Sequence, residues 1–286
     1  MKRVSVGTFC VLSALGSLGG CAGVETATEI DAMARYQELA GTEWRQVLHD
    51  RCTGNWQDTW FLDGRKATVT NGPDGMTFTA GPTARDDSCH AVLWTKRSFR
   101  GDLKIDYEYT RTDSAVRYVT ILYIQATGSG DAEHPRDIAA WSALRTVPSM
   151  RLYFNHMNTY HISYAAFGTR NDDPQADYIR ARRYTPDAGK GLTGTELKDE
   201  YARTGLFKTG VPYRITVIKR GQELFMHIRG DGREQLCHFR NVGLPPIVEG
   251  RIGLRHMYTR SARYRDFRVS VPAEPQDVKE SASGKD

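Results

Sequence analysis

Residues 211–239 read VPYRITVIKRGQELFMHIRGDGREQLCHF. Three strands are predicted here, Val211–Lys219, Gln222–Gly230 and Gln235–Phe239. β-Branched and aromatic residues dominate them, and Arg220-Gly221 and Asp231-Gly232 supply the tight turns. Strands joined this closely are antiparallel neighbours. Upstream, Leu103–Arg111 alternates cleanly. Leu103, Ile105, Tyr107 and Tyr109 share one face, and Lys104, Asp106, Glu108 and Thr110 share the other. A sheet with one buried and one wet face imposes this period of two, which puts the three charges on the solvated convex side. Arg117–Gln125 (RYVTILYIQ) is apolar on both faces and is predicted to lie centrally. Trp44–Asp50, the hairpin of Lys66–Asn71 with Gly75–Ala80, Cys89–Phe99, and the closing runs Arg251–Tyr258 and Ala262–Val271 extend the series. Turn signals recur about every 8–12 residues, which indicates an all-β sandwich or jelly roll of two antiparallel sheets.

The middle of the chain carries the functional signal. Residues 150–183 read MRLYFNHMNTYHISYAAFGTRNDDPQADYIRARR. Two strand-like runs, Arg151–His156 and Thr159–Ala165, are followed by an Asn/Asp-rich loop and an arginine cluster. In the second run Tyr160, Ile162 and Tyr164 face one way, and His161, Ser163 and Ala165 the other. Aromatic faces, imidazoles and guanidiniums suit a polar, anionic sugar, so this stretch is expected to wall a carbohydrate groove. Helical signals are few: Glu25–Gly41 by its spacing of Ile30, Met33, Tyr36 and Leu39, Pro135–Leu144 within the long insertion Ala126–Pro148, and a turn at Glu196–Arg203.

The first twenty residues read as an export signal, with Lys2 and Arg3 before the apolar Val4–Leu18. Leu18-Gly19-Gly20-Cys21 resembles a bacterial lipobox, in which Cys21 is lipidated and becomes the first mature residue. The expected organisation is signal peptide 1–20, tether and helix 21–43, sandwich 44–271 and disordered tail 272–286. The tail has no apolar residue able to anchor it beyond Val278. The protein is expected in the periplasm or at the outer-membrane surface, held by lipid alone. Ala22 after the cysteine disfavours inner-membrane retention. Export leaves Cys52, Cys89 and Cys237, an odd number, and Cys52–Cys89 is the expected disulfide because both sit in loop-like contexts.

The formal charge is +5, and losing Lys2 and Arg3 leaves +3. Basic residues are interspersed with acids, unlike a nucleic-acid stripe, so no nucleic-acid partner is expected. The cationic run Arg251–Arg268, which includes Arg255, favours an anionic ligand. A monomer is expected.

From Val211 to Val271 the pattern resembles the concanavalin-A-like lectin/glucanase superfamily. A hairpin leads into Gly250, Ile252, Gly253 and Leu254, then into Asp266-Phe267-Arg268-Val269. The run His90–Arg111 resembles that superfamily's early strands. The Tyr160–Tyr164 and Ile179–Arg183 runs are similar to an uncharacterised bacterial jelly-roll family associated with polysaccharide degradation. Together these imply a concanavalin-A-like sandwich from Trp44 to Val271 and a carbohydrate-active protein. A structural Ca²⁺ near the chain ends is also implied, for which Asp50 and Asp266 are the candidate ligands.

Hydrolases of the superfamily carry paired carboxylates on one strand, a spacing this chain lacks; Asp106-x-Glu108 is the nearest. Lyase chemistry needs a cation for the uronate carboxylate and proton-transfer groups instead. Arg180 or Arg182 is expected to hold the acid, with His161 or Tyr164 moving the proton. Strand parity separates His161 from Tyr164 unless a bulge intervenes. Trp94, His90, Tyr123, Gln125, Asn155, His156, Tyr178 and Arg255 are expected to bind substrate, and Trp56, Trp60 and Trp141 offer further stacking faces. The readings in order are a uronate-directed polysaccharide lyase, a glycoside hydrolase on the same fold, a non-catalytic carbohydrate-binding lipoprotein, and an envelope scaffold.

Overall fold

Hydrogen bonding sorts the alternating runs into two antiparallel sheets. The computed structural model describes residues 27–273 apart from Ala188. The signal segment, the Cys21 lipidation site and most of the expected tail lie outside the described residues. In chain order come α1 (Ala27–Ala40), β1 (Trp44–Asp50), β2 (Trp60–Asp63), β3 (Thr68–Gly72), β4 (Gly75–Thr79), β5 (Ala91–Arg100), β6 (Leu103–Arg111) and β7 (Tyr118–Gly128). A 3₁₀ segment, Ile138–Arg145, and α2 (Met150–His156) precede β8 (Met157–Phe167), β9 (Tyr178–Tyr184) and β10 (Glu196–Ala202). The chain closes with β11 (Pro212–Arg220), β12 (Glu223–Gly230), β13 (Arg233–Arg240), β14 (Glu249–His256) and β15 (Ser261–Pro272).

One sheet runs β13-β12-β11-β6-β15-β4-β3, with β1 also on β15; the other runs β10-β9-β8-β7-β14-β5-β2. The opening hairpins form as expected. Asp231 and Gly232 both take positive φ, 54° and 68°, as a two-residue turn between right-twisted strands requires. Ile105, Tyr107, Tyr109, Val217 and Met226 of the first sheet meet Leu122, Ile124, Tyr160, Ile162 and Tyr164 of the second in one buried core. Strand β7 is buried along its whole length and sits between β8 and β14, the central place its sequence predicts. Its second face is covered by the 3₁₀ segment and α2, which bury Ile138, Trp141 and Tyr153 in a separate cluster.

Three local expectations are corrected. Arg151–His156 is not a strand but lies in α2: Tyr153 alone is fully buried there, so no alternation was available to define a strand face. Glu196–Arg203 is not a helical turn; Glu196–Ala202 forms the edge strand β10, whose polar composition reflects its exposed position. The expected helix Pro135–Leu144 is a 3₁₀ segment, started by the Asp137 carboxylate accepting from the Ala139 N–H.

The expected Cys52–Cys89 disulfide is absent. Cys52 lies in the inter-sheet core and Cys89 in the cluster on the far face of the second sheet, and both are free thiols, as is Cys237. Burial, then the Asp50 carboxylate, pushes the Cys52 thiol up to about 12. A reductant is therefore expected to leave the thermal midpoint unchanged. A drop of the several degrees that a lost crosslink produces would show that a bond had formed.

Candidate functional site

The seven-stranded sheet carries its polar residues on the face away from the core. Strand register lines up Phe61, Trp94, Gly253, Tyr123, His161 and Arg182 across six strands. The adjacent row is Asp63, Val92, Arg255, Ile121, Ser163 and Arg180. Glu196 and Glu200 on β10 end the two rows.

Aromatic stacking roofs the centre. Tyr123, Trp94 and Tyr153 form a triangle of near-parallel rings, with centroids 5.3 Å (Tyr123–Trp94), 5.9 Å (Tyr123–Tyr153) and 6.4 Å (Trp94–Tyr153) apart. Gly253 makes room for this stack, since a Cβ there would sit 2.4 Å from the Trp94 ring. Gly253→Ala is expected to displace the indole and cost about 1–3 kcal/mol, read as a lower urea midpoint with altered near-ultraviolet circular dichroism. An unchanged spectrum would show that the indole has room to spare.

Beneath the roof, three donors converge on Asp63 Oδ2: Arg145 Nε at 2.5 Å, Trp94 Nε1 at 2.7 Å and the Tyr153 hydroxyl at 2.8 Å. Burial pushes the Asp63 carboxyl up, and Arg145 opposes it. Arg145 also stacks on Trp141, 4.2 Å from the ring centroid, so this ion pair ties the insertion to β2. Arg255 donates from Nη2 to the Pro148 carbonyl at 2.7 Å and lies 4.4 Å over the Tyr153 ring. Its Nε and Nη1 have no partner among the described residues, and neither do both Nη atoms of Arg145 and Asp63 Oδ1. Ordered water is the usual partner of buried polar atoms of this kind, and Arg255 also approaches the Tyr123 hydroxyl.

His161 lies in the middle of this face, between Tyr123 and Arg182 in register. Its Nδ1 is 2.6 Å from the Tyr184 hydroxyl and its Nε2 is 2.6 Å from Ser163 Oγ. Burial, then the charges of Arg182, Arg255 and Arg180, hold the imidazole well below its ordinary range, so it is neutral. Burial likewise holds the proton on the Tyr184 hydroxyl. Arg180 pairs with Glu200 and Arg182 with Glu196 at the open edge of the sheet. Tyr178 stacks on the Arg180 guanidinium at 4.8 Å.

Of the residues singled out in the sequence, His161, Arg180, Arg182, Trp94, Tyr123, Tyr178 and Arg255 lie on this one face. His90 is buried at its margin, its ring 4.3 Å from that of Tyr258. Tyr164 is corrected: it points into the inter-sheet core against Tyr109 and Tyr107 and meets no part of this face. Gln125 is corrected too. Its amide donates to the Phe99 and Gly101 carbonyls and braces the turn between β5 and β6. Asn155 and His156 lie on α2, and His156 stacks on His134 at 3.8 Å, away from His161's partners. Trp60 packs in the core. Asp63, Arg145, Tyr153, Ser163 and Tyr184 were missed as site residues. The shared parity of His161 with Ser163, and of Arg180 with Arg182 and Tyr184, was a usable signal for two of them.

The calcium expectation does not fit. Asp50 accepts from the Cys52 N–H and the Trp60 indole, and Asp266 pairs with His49 and Arg268. Among the described residues no group of three or more His, Cys, Asp or Glu side chains is placed to hold a metal ion.

Three buried imidazoles set a pH dependence. Burial, then Arg255, lowers His90 to about 2; burial, then Arg260, lowers His256 to about 3; His161 is lowered similarly in direction. The unfolded chain protonates all three near 6.5 and the folded chain does not. Stability therefore falls as pH drops below about 6.5, by up to roughly 1.4 kcal/mol per pH unit for each imidazole. Urea midpoints at neutral and mildly acidic pH test this; a midpoint that rises on acidification would contradict it.

This architecture is the concanavalin-A-like β-sandwich, the fold of legume lectins and galectins. No protein-family model and no curated protein matches the chain by sequence. Among solved structures, it is similar to a galectin-like-fold protein of unknown function from Bacillus subtilis, with 16% identity over 81% of this chain and 100% of that one, at a TM-score of 0.57. It is also similar to a legume lectin-like domain from Entamoeba histolytica, with 9% identity over 79% and 97%, at 0.50. The exoplasmic/lumenal domain of VIP36 in a Ca²⁺/Man3GlcNAc-bound form shares 10% identity over 83% and 93%, at 0.50. At these identities the likeness establishes the fold.

Proposed function

We propose that this chain is an exported carbohydrate-active lipoprotein, anchored through Cys21, that cleaves an acidic glycan by β-elimination on the outer face of its seven-stranded sheet. The observation that carries the reading is the neutral His161, hydrogen-bonded to Tyr184 and surrounded by Arg180, Arg182 and Arg255. The Man3GlcNAc-bound form of the VIP36 domain supports a glycan ligand in general; the preference for an acidic one rests on the arginines of this face.

Each group has a role that its placement allows. An arginine pairs with the uronate carboxylate and so acidifies the neighbouring C5–H; Arg180 and Arg182, at the open edge of the sheet, are the ones within reach of solvent. Once substrate displaces the Ser163 hydroxyl, His161 Nε2 takes the C5 proton. The C–H electron pair becomes the C4=C5 bond and the C4–O bond breaks. The departing oxygen takes the proton of the Tyr184 hydroxyl, which burial keeps protonated. A glycoside-hydrolase pair fits less well. Asp63 stands six strands from Glu196 and Glu200, about 29 Å at the usual strand spacing, against the roughly 5–9.5 Å a carboxylate pair needs.

One contact favours a second reading. Ser163 Oγ lies 2.6 Å from His161 Nε2, the geometry of a nucleophile with its base, which suits hydrolysis of an ester substituent on a glycan. The test is incubation with a panel of uronate polymers, plain and esterified, with ultraviolet detection of the conjugated unsaturated uronide. That product establishes the lyase. Acid release without it moves the assignment to ester hydrolysis, and saturated fragments move it to glycoside hydrolysis. Binding with no product leaves a lectin-like role.

A further inference from the structure

The opposite flank of the sandwich carries a second charged surface. On the outer face of the eight-stranded sheet, Lys104, Asp106, Glu108, Arg214, Arg229 and Arg265 line a groove of about 730 Å³. Register places Arg229, Arg214, Glu108 and Arg265 side by side across β12, β11, β6 and β15. Arg214 stands directly opposite Arg229, and like charges in that position destabilise a sheet. The row therefore holds three guanidiniums and one carboxylate, Glu108. All three arginines are exposed, and their side chains make no ion pair or hydrogen bond with any described residue. Beside the groove lies α1: Tyr36 packs on Phe225 and its hydroxyl is 3.1 Å from His227.

We infer that this groove is a second glycan-binding site, which takes an acidic polysaccharide chain laid across the strands. Guanidiniums at strand spacing, about 4.8 Å apart where neighbours and about 10 Å across Glu108, match a ligand with repeated carboxylates. The interspersed carboxylates Asp106 and Glu108 accept from sugar hydroxyls. They also disfavour a continuous anionic lipid plane, and the exposed large apolar side chains of the described chain, Ile30, Leu144, Val147, Val242 and Val248, are not among the groove's lining residues. The inference rests on the proposed function for the ligand class alone. The two sites lie on different sheets, so a long polymer can be held at one while it is processed at the other.

The test measures binding of the full chain to polygalacturonate by affinity electrophoresis, in a His161→Gln background that blocks turnover. Dextran serves as neutral control. Arg214→Ala/Arg229→Ala/Arg265→Ala is expected to weaken binding at least about tenfold and to flatten its salt dependence. Its melting temperature is expected to stay level or rise, because a like-charge pair is removed. Should the triple variant misfold, the exposed single change Arg265→Glu is expected to show the same direction. Undiminished affinity in the arginine variants overturns the inference. So does equal binding to dextran, or arginine-dependent binding confined to phosphatidylglycerol vesicles. If no polymer yields an unsaturated product but arginine-dependent binding remains, the lyase reading fails and this site stands. Turnover without arginine-dependent binding gives the reverse.

Discussion

His161→Gln is expected to lower the rate of unsaturated-uronide release by about 10²–10⁴-fold, the range for loss of a positioned acid or base. Glutamine keeps a polar group against Tyr184 and Ser163, so the fold is expected to survive. Tyr164→Phe is expected to leave the rate within about twofold, since its hydroxyl lies in the inter-sheet core among Tyr107, Tyr109 and Tyr264, on the far side of the sheet from His161. The two residues are three apart in one strand but stand on opposite faces of the sheet, so the pair separates chemistry from packing. Tyr184→Phe removes the proton held against the leaving oxygen and is expected to lower the rate as well. It leaves His161 Nδ1 unpaired, so its pH profile, rather than rate alone, identifies its role. A full rate in His161→Gln would remove the imidazole from the mechanism.

The second large effect concerns stability. Asp63→Ala leaves the fully buried guanidinium of Arg145 without a counter-charge and strips Trp94 and Tyr153 of their shared acceptor. A loss of roughly 3–5 kcal/mol in unfolding free energy is expected, as for other broken buried pairs. Arg145→Met alone should cost a similar amount, by stranding the carboxylate. Asp63→Leu/Arg145→Met should recover much of it, because apolar groups of similar volume can replace a buried pair. Chemical denaturation of the wild type, Asp63→Leu, Arg145→Met and the double variant completes the cycle. If the single variants each cost under about 1 kcal/mol, solvent reaches this pair and the insertion does not seal the face.

The success of the sequence reading follows the range of the forces involved. The alternation in β6, the hairpin from β11 to β12 and the apolar run of β7 were legible because facing and turn geometry are set within a few residues. Failures came where local composition and tertiary setting disagreed. Strand β10 is a polar edge that buries Leu197 and little else, so its composition resembles a surface helix. Helix α2 is only seven residues long, too short to show a helical period, and its aromatics mimic a strand. Cys52 and Cys89 occupied similar loop contexts, yet a whole sheet separates their clusters.

The site divides in the same way. From the sequence alone came the shared face of His161 and Ser163, the opposite face of Tyr164, the alternation of Arg180 with Arg182, and the two-sheet sandwich itself. These follow from the period of a single strand. Which strand lies beside which was decided only in three dimensions: Gly253 under Trp94, Arg182 beside His161, and Arg145 reaching Asp63 from 82 residues away. Backbone hydrogen bonds join strands in a register that no one strand encodes. The electrostatics of the histidine arise from arginines on two other strands, placed there by that register.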